Sequence, residues 1–302
     1  MRNLVHARRL YSSSIALLLA IALIVPAAFA QQPPPQDQAP PPSFAPEQLD
    51  RMVSRIALYP DPLLAQVLTA STFPDQIPDA ARWADEHHYL TGEELAKAIT
   101  DDQLPWDPSV QALLPFPNVL GEMASDMNWT NDLGNAVLAQ RQDVMDAVQR
   151  MRRKARDYGY LRTNQQIIVS GGPDIEIEPV SPAFIVVPTY DPLIVYAAPR
   201  PGFFVGGAIG FGFGIRIDAF FAPWGWGATR FGWGEHVLIV NNRPWGRTWV
   251  NRRVYVHPYP GVHRYTAAGP ARVEHHELIQ RSAHEREAAH AGHEREEEQH
   301  HR

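Results

Sequence analysis

Seven histidines near the C-terminal end are the residues of this sequence best suited to bind a metal. They are His275, His276, His284, His290, His293, His300 and His301. Imidazole nitrogens suit Zn, Ni or Cu(II), and so do the carboxylates of the eight glutamates in residues 271–302. Neither His284-Glu285 nor His293-Glu294 is followed by a second histidine at the spacing of a zinc-protease helix. The pattern therefore indicates metal binding and no catalytic metal site.

The same segment also fits a simpler interpretation, a tail without a ligand. Its large aliphatic residues are only Val273, Leu278 and Ile279, which are too few to bury a core. We expect residues 271–302 to be disordered in either case, and both interpretations stay open.

Three aspartates that precede a proline are the carboxylates most suggestive of acid–base chemistry. They lie in the motifs Tyr59-Pro60-Asp61-Pro62, Trp106-Asp107-Pro108 and Tyr190-Asp191-Pro192. Asp-Pro is also a common helix start, because the carboxylate accepts a hydrogen bond from a free backbone N–H and proline suits the first turn. We favour this structural interpretation, so we predict no catalytic residue, no cofactor in the body of the protein and no enzymatic activity. An unrecognised envelope hydrolase is the alternative.

Two groups of side chains are predicted to contact a partner. The first is three tryptophans of a glycine- and aromatic-rich segment, Trp224, Trp226 and Trp233. The second is Arg152, Arg153 and Lys154, in a basic run at the end of a predicted helix. Cations at a helix end complement its dipole and usually lie in solvent. Contact with anionic lipid head groups or an acidic partner is the alternative for them.

Glycines four residues apart open the glycine-rich segment. Gly202, Gly206, Gly210 and Gly214 have the spacing of helices that pack closely. The apolar residues around Phe211 and Phe213 instead alternate with small or polar residues, which is strand spacing. We favour glycine-rich strands or loops packed on aromatic side chains. There are two alternatives. One is contact of this segment with a partner or a membrane surface, and the other is a helix that packs through its glycines (a zipper helix).

The N-terminal end has the pattern of an export signal. Three arginines precede eleven apolar residues from Ile15 to Val25, and Ala28-Phe29-Ala30 fits a cleavage site. A membrane-spanning helix needs about 20 apolar residues, so we predict a cleaved signal peptide over residues 1–30 and a periplasmic or cell-envelope location. Residues 31–46 contain seven prolines and predict an extended linker.

Charge and cysteine content exclude several functions. Cleavage removes three arginines and no acid, which changes the net charge from −6 to −9. Such an acidic chain is not expected to bind nucleic acid. The 302 residues include no cysteine, which excludes disulfides and thiolate metal sites.

Helical patterns fill residues 47–160, which we predict to be a helical lobe. Asp61-Pro62, Pro78-Asp79 and Asp107-Pro108 predict helix starts, and Thr91 to Glu94 predicts a capping box. The longest helix is expected from Asp132 to about Asp157. Its predicted core contacts are Leu133, Val137, Ala147, Val148 and Met151.

Strand patterns follow in residues 161–270, a predicted β-rich lobe. Residues 166–169 and 175–178 flank a glycine-containing turn and predict a hairpin. Further strands are expected at Phe184 to Val187, Leu193 to Tyr196 and Val237 to Val240, the last followed by an Asn241-Asn242 turn. Two more are expected around Trp249 and from Val254 to Val256.

The three Asp-Pro motifs, with the runs around them, resemble an uncharacterised bacterial secreted family. It is the domain-of-unknown-function family thirty-three hundred, and the similarity covers about residues 46–201. The resemblance implies a helical region followed by a small β unit in an exported protein. It implies no activity, because that family has no established catalytic residues.

The sequence therefore predicts an α+β protein, with a proline-punctuated bundle of short helices followed by a small glycine- and aromatic-rich β lobe. A disordered linker and a disordered tail flank them. We predict a non-enzymatic binding or scaffolding module whose partner is an envelope protein or cell-surface component, with no membrane anchor after cleavage. Binding of divalent transition metals through the tail is the alternative function.

Overall fold

Helices occupy the first part of the described chain and short strands the last part. The structure is a computed structural model that describes residues 40–199 and 206–262. The main helices are α1 (Pro46–Val53), α2 (Asp61–Ala70), α3 (Ile77–Glu86), α4 (Gly92–Asp101), α5 (Pro108–Gln111), α6 (Pro117–Ser125), α7 (Met127–Ala139) and α8 (Arg141–Asp157). Proline stands in the first turn of α1, α2, α3, α5 and α6, which confirms the proline-punctuated helix starts.

The predicted long helix is wrong, because it is two helices. Gln140 separates α7 from α8 with backbone angles of φ −138° and ψ 43°. Its side-chain Oε1 accepts a hydrogen bond from the Phe44 N–H at 2.6 Å, and its Nε2 donates to the Phe44 carbonyl at 3.3 Å. This tie to the chain before α1 is a long-range contact that helical periodicity does not reveal. The five predicted core residues of the two helices are all buried.

Helix α2 lies at the centre of the described structure. All of its residues except Pro62 are buried, including the polar Gln66 and Thr69. It packs against α5, α7, β2, β7 and β8, where the three strands are Glu176–Pro179, Arg230–Gly232 and Val237–Val240. Apolar residues occur on every side of α2, which is expected of a helix that is buried on all sides. One hydrophobic cluster consequently joins the helices to Trp224, Trp233 and Leu238 of the later segment.

Two predicted β turns are confirmed. Strand β1 (Ile167–Ser170) pairs with β2 in an antiparallel hairpin, with Val169 opposite Ile177. Strands β7, β8 and β9 (Arg243–Pro244) form a second antiparallel sheet. Asn241 and Asn242 connect β8 to β9 with φ of 51° and 57°. Two successive left-handed residues are what a two-residue hairpin of this kind requires, and asparagine tolerates them.

The remaining strands join distant parts of the later segment. Strand β3 (Phe184–Ile185) pairs with β6 (Ile215–Arg216), and β4 (Pro188–Tyr190) pairs with β5 (Ile209–Phe211). Gly210 lies in β5 and Gly214 directly precedes β6, so the zipper-helix alternative is wrong for these glycines. Gly202 lies outside the described residues.

The structure corrects several local predictions. Residues Pro192–Val195 form the short helix α9 and not a strand, because the Asp191 carboxylate caps the Leu193 N–H at 2.8 Å. The segment around Trp249 forms turns held by Asn251 and not a strand, and the strand predicted from Val254 to Val256 is not formed either. The Thr91 side chain makes no capping hydrogen bond to α4.

The described residues form an α+β protein, as predicted. Among them, no helix is long and apolar enough to cross a membrane. The predicted signal peptide and tail, and all but the last residues of the predicted linker, lie outside the described residues.

Candidate functional site

A cleft of about 410 Å³ lies where the ends of several helices meet the glycine-rich segment. One wall comes from the end of α3 and the start of α4, and a second from the residues that precede α6. The third wall is Phe213 to Arg216, together with Phe221 of a 3-10 helix (Ala219–Trp224). Because these walls come from three stretches of chain, only the folded protein has the cleft.

The floor of the cleft is apolar. Leu95, Leu114 and Phe221 line it, and all three are buried members of the main hydrophobic cluster. Pro115 and Ile215 add further apolar surface. The core thus reaches the protein surface at this place, which is typical of ligand-binding pockets.

Two histidines at the end of α3 form one side of the rim. The Nδ1 of His87 lies 2.8 Å from the Trp83 carbonyl oxygen, and the Nδ1 of His88 contacts the Asp85 carbonyl oxygen. The His87 ring also stacks on Trp83, with centroids 4.0 Å apart. A carbonyl oxygen only accepts hydrogen bonds, so each Nδ1 carries the hydrogen. Each Nε2 is therefore an acceptor in the neutral ring and a donor only when the ring is protonated.

Arg216 forms the opposite side of the rim. Its side chain is 65% exposed, and its Nε lies 3.0 Å from Oδ2 of Asp218. The Oδ1 of Asp218 accepts the Phe220 N–H at 3.1 Å, which caps the 3-10 helix. Within the described chain, Asp218 is the one partner of this guanidinium, so both Nη atoms remain free to donate. In the part of the chain that the structure describes, no aspartate or glutamate lines the cleft.

Exposed aromatic side chains surround the cleft. Phe213 lines it and is 100% exposed. The exposed Tyr89 ring lies 6.3 Å from the His87 ring and 6.1 Å from the His88 ring, measured between centroids. A side chain at Gly214 would place its Cβ 3.1 Å from Cβ of the exposed Phe184. Glycine therefore lets this wall of the cleft approach β3.

The three predicted contact tryptophans are buried, so their role as partner contacts is corrected. The indole N–H of Trp224 donates to Oε1 of Gln111 at 2.9 Å, that of Trp226 to the Ala112 carbonyl at 3.0 Å, and that of Trp233 to Oδ2 of Asp61 at 2.9 Å. A tryptophan whose N–H has an internal partner can be buried completely. The three residues hold the glycine-rich segment onto the helices.

Arg152 is also corrected, because it is 0% exposed. Its guanidinium donates to the carbonyl oxygens of Ala57, Tyr59 and Ile175 at 2.8 to 3.0 Å. It also lies 2.6 Å from Oδ1 of Asp61. Arg152 therefore lies neither at a solvated helix end nor at a contact with a lipid or a partner.

The other two predicted basic contacts remain near the surface. Lys154 is exposed, and the half-buried Arg153 donates to the Pro173 carbonyl at 3.3 Å. Their contact with a partner stays a prediction.

The Asp-Pro motifs have two different roles. Asp107 and Asp191 cap helices, as predicted: their carboxylates accept the backbone N–H of Ser109 and Leu193. Asp61 caps no helix. Its carboxylate is buried against Arg152. The Asp-Pro motif alone does not show whether its aspartate caps a helix or forms a buried ion pair.

Glu178 lies close to this buried ion pair and has a shifted pKa. Burial, followed by the charges of Asp61 and Glu176, raises the pKa of Glu178 from 4.5 to about 7, against the opposing charge of Arg152. The folded protein therefore binds a proton that the unfolded chain releases above about pH 4.5. The contribution of Glu178 to stability is largest below that pH and is lost as the pH rises through 7.

We expect Glu178→Gln to remove this pH dependence. The variant should be more stable than the parent above pH 7 by about 1 to 2 kcal/mol, a value reduced for partial solvent screening. Urea unfolding of both proteins across this pH range measures the difference. Glu93→Gln, an exposed change on α4, is the control and should leave the slope unchanged. Parallel curves for Glu178→Gln and the parent would contradict the assignment.

The predicted metal ligands of the tail, His275 to His301, lie outside the described residues. Among residues 40–199 and 206–262, no group of three histidine, aspartate or glutamate side chains could hold a metal ion. Metal binding by the tail stays a prediction from sequence.

Comparison with known proteins shows one family. The family described as "Protein of unknown function (DUF3300)" matches residues 45–257, beyond the end of the resemblance at about residue 201. The uncharacterized protein YacH of Escherichia coli (strain K12) is 35% identical over an alignment of 187 residues, which covers 51% of this chain and 30% of that relative. The chain thus spans less than a third of the length of this relative. No solved structure matches the chain.

All the residues that line the cleft lie within the matched region. The match covers more than half of the 302 residues. The chain therefore belongs to the DUF3300 family of proteins of unknown function.

Proposed function

We propose that this protein is a non-enzymatic binding module of the bacterial envelope and that the cleft is its ligand site. The fully exposed Phe213 beside an apolar floor carries the proposal. A large apolar side chain left in water, next to a pocket that removes apolar groups from water, favours an apolar ligand.

The polar groups of the cleft support binding rather than catalysis. Thr91 supplies the one side-chain hydroxyl among the lining residues. A nucleophile needs a base within hydrogen-bond reach. Thr91 has no hydrogen bond to His87 or His88 within the described chain, so no nucleophile–base pair is formed.

The envelope location rests on the sequence. Arginines, an apolar stretch and a small-residue cleavage pattern precede the proline-rich residues 31–46. Partner contact through Arg153 and Lys154 is compatible with a scaffolding role. The cleft, however, offers a more specific site than these two side chains.

Fluorescence titration with 1-anilinonaphthalene-8-sulfonate, an aromatic anion, tests the proposal. We expect saturable binding that Phe213→Ala weakens by about threefold to tenfold, the value of one aromatic contact. Leu193→Ala is the matched control, because Leu193 is an 84% exposed apolar side chain on α9 that does not line the cleft. Equal affinity in the Phe213→Ala and Leu193→Ala variants would refute the proposed site. Thermal unfolding should show that both variants remain folded.

A further inference from the structure

We infer that the ligand of the cleft is a single-chain anionic amphiphile, with its chain on the apolar floor and its head group beside Arg216 and the two histidines. This inference rests on the proposed function and names the ligand class for the same site. The ligand is an amphiphile and not a peptide or a glycan.

Charge complementarity favours an anionic head group. The ionisable side chains that line the cleft are His87, His88 and Arg216. Asp218 pairs with the Nε of Arg216, which leaves the two Nη groups in the fork geometry that binds carboxylate, sulfonate or phosphate oxygens. Every ionisable side chain that lines the cleft is thus a basic residue type, and no acidic side chain of the described residues lines it.

The acidic side chains next to the two histidines along the chain do not line the cleft. Asp85 and Glu86 stand at the end of α3, and Glu93 and Glu94 stand in the first turn of α4. All four are exposed, and none of them lines the cleft. The donors that an anion would meet at this rim are the Nη groups of Arg216.

The lining residues disfavour other ligand classes. Among the described residues, no asparagine, glutamine, aspartate or glutamate lines the cleft, although a sugar ring needs such groups to pair with its several hydroxyls. The same residues supply no tryptophan or tyrosine to its lining, and these are the polar aromatic side chains that could bond the carbonyls of a proline-rich peptide. An apolar floor with donors on one part of the rim matches a molecule with one chain and one charged end.

The histidine geometry limits which ring nitrogen can meet a ligand. Each Nδ1 is held by a helix carbonyl, so Nε2 is the ring nitrogen left for a ligand, and it can donate to an anion only when the ring is protonated.

Isothermal titration calorimetry with three probes tests the inference. Dodecanesulfonate is ionised at every pH used, dodecanol has the same chain without the charge, and methanesulfonate has the head group alone. Below the micelle concentration we expect one dodecanesulfonate per chain, weaker binding of dodecanol and no measurable binding of methanesulfonate. Arg216→Gln should weaken dodecanesulfonate binding about tenfold or more, the value of a charge-assisted hydrogen bond.

Arg230→Gln is the matched control, because Arg230 is an exposed strand arginine whose Nη1 contacts Asn242 away from the cleft. It should leave the affinity for dodecanesulfonate unchanged. Equal affinity for dodecanol and dodecanesulfonate, with no effect of Arg216→Gln, would overturn the anionic head group and leave the proposed function intact. Binding of methanesulfonate as tight as that of dodecanesulfonate would overturn the amphiphile and indicate a simple anion site. No binding of either twelve-carbon probe, together with no effect of Phe213→Ala on the anilinonaphthalene titration, would overturn the proposed function as well.

Discussion

Arg152→Met is expected to destabilise the folded protein by about 3 to 5 kcal/mol, the usual loss when one partner of a buried ion pair is removed. The guanidinium makes three hydrogen bonds to carbonyl oxygens and an ion pair with Asp61 at 2.6 Å. Methionine fills part of the volume but leaves the Asp61 carboxylate buried without its cation. The same change also removes the cation from the face of the Trp233 ring, 4.9 Å from its centroid.

Urea unfolding of parent and variant measures this loss. Lys154→Met, two residues along α8 at an exposed position, is the control and should change the unfolding free energy by about 0.5 kcal/mol or less. Asp61→Asn combined with Arg152→Met should recover part of the loss, because the neutral amide no longer needs a cation. A loss below about 1 kcal/mol in Arg152→Met would contradict the buried pair.

Gly134→Ala is expected to be strongly destabilising, although alanine is normally the better helix former. In a helix interior this substitution should gain about 1 kcal/mol. At Gly134 of α7, however, the new Cβ would lie 2.0 Å from the Ser71 carbonyl oxygen and 2.7 Å from its carbon. Both atoms belong to the backbone at the end of α2, so no side-chain rotation can relieve the clash. Helix α7 would have to move away from α2, at a cost of about 3 kcal/mol or more.

Gly121→Ala gives the matched comparison, because a Cβ at this position of α6 would meet nothing within 4 Å. It should stabilise the protein by up to about 1 kcal/mol. Thermal or urea unfolding of the two variants should therefore give changes of opposite sign. Changes of the same sign would show that α7 does not contact α2 as closely as the structure indicates.

Local sequence signals predict the parts of this fold that local interactions determine. The β1–β2 hairpin and the Asn241-Asn242 turn need particular backbone angles at particular residues, and the sequence supplies glycine and asparagine there. The proline-initiated helices are predicted for the same reason. The strand predicted at 193–196 fails because the Asp191 cap, also a local signal, outweighs the strand propensity of its apolar residues.

Arg152 shows why the remaining predictions fail. Its position in a basic run indicates a solvated helix end. The carbonyls that bury it belong to Ala57, Tyr59 and Ile175, which are 23 to 95 residues away in sequence. The three tryptophans are misassigned for the same reason, because their hydrogen-bond partners lie on α2 and on the chain around α5. A charge or an indole identifies a side chain that needs a partner, but not where that partner is.

The cleft could not be identified from sequence either. His87 and His88 after Asp85-Glu86 indicate only a helix end, and the structure confirms that α3 ends there. The other side of the rim, Arg216, is more than 100 residues along the chain. One local signal in the sequence marks the cleft, a phenylalanine between two glycines, and the structure shows that this Phe213 is fully exposed. The spacing of the glycines, which favours strands or a zipper helix, does not reveal the role of the aromatic residue between them.

The most direct test of a ligand site in the cleft is the affinity for 1-anilinonaphthalene-8-sulfonate in two variants that each remove one exposed apolar side chain. Phe213 lines the cleft, and Leu193 does not. We predict a dissociation constant about threefold to tenfold higher than that of the parent for Phe213→Ala, and an unchanged one for Leu193→Ala. An unchanged affinity in Phe213→Ala, with both variants folded, would contradict the account.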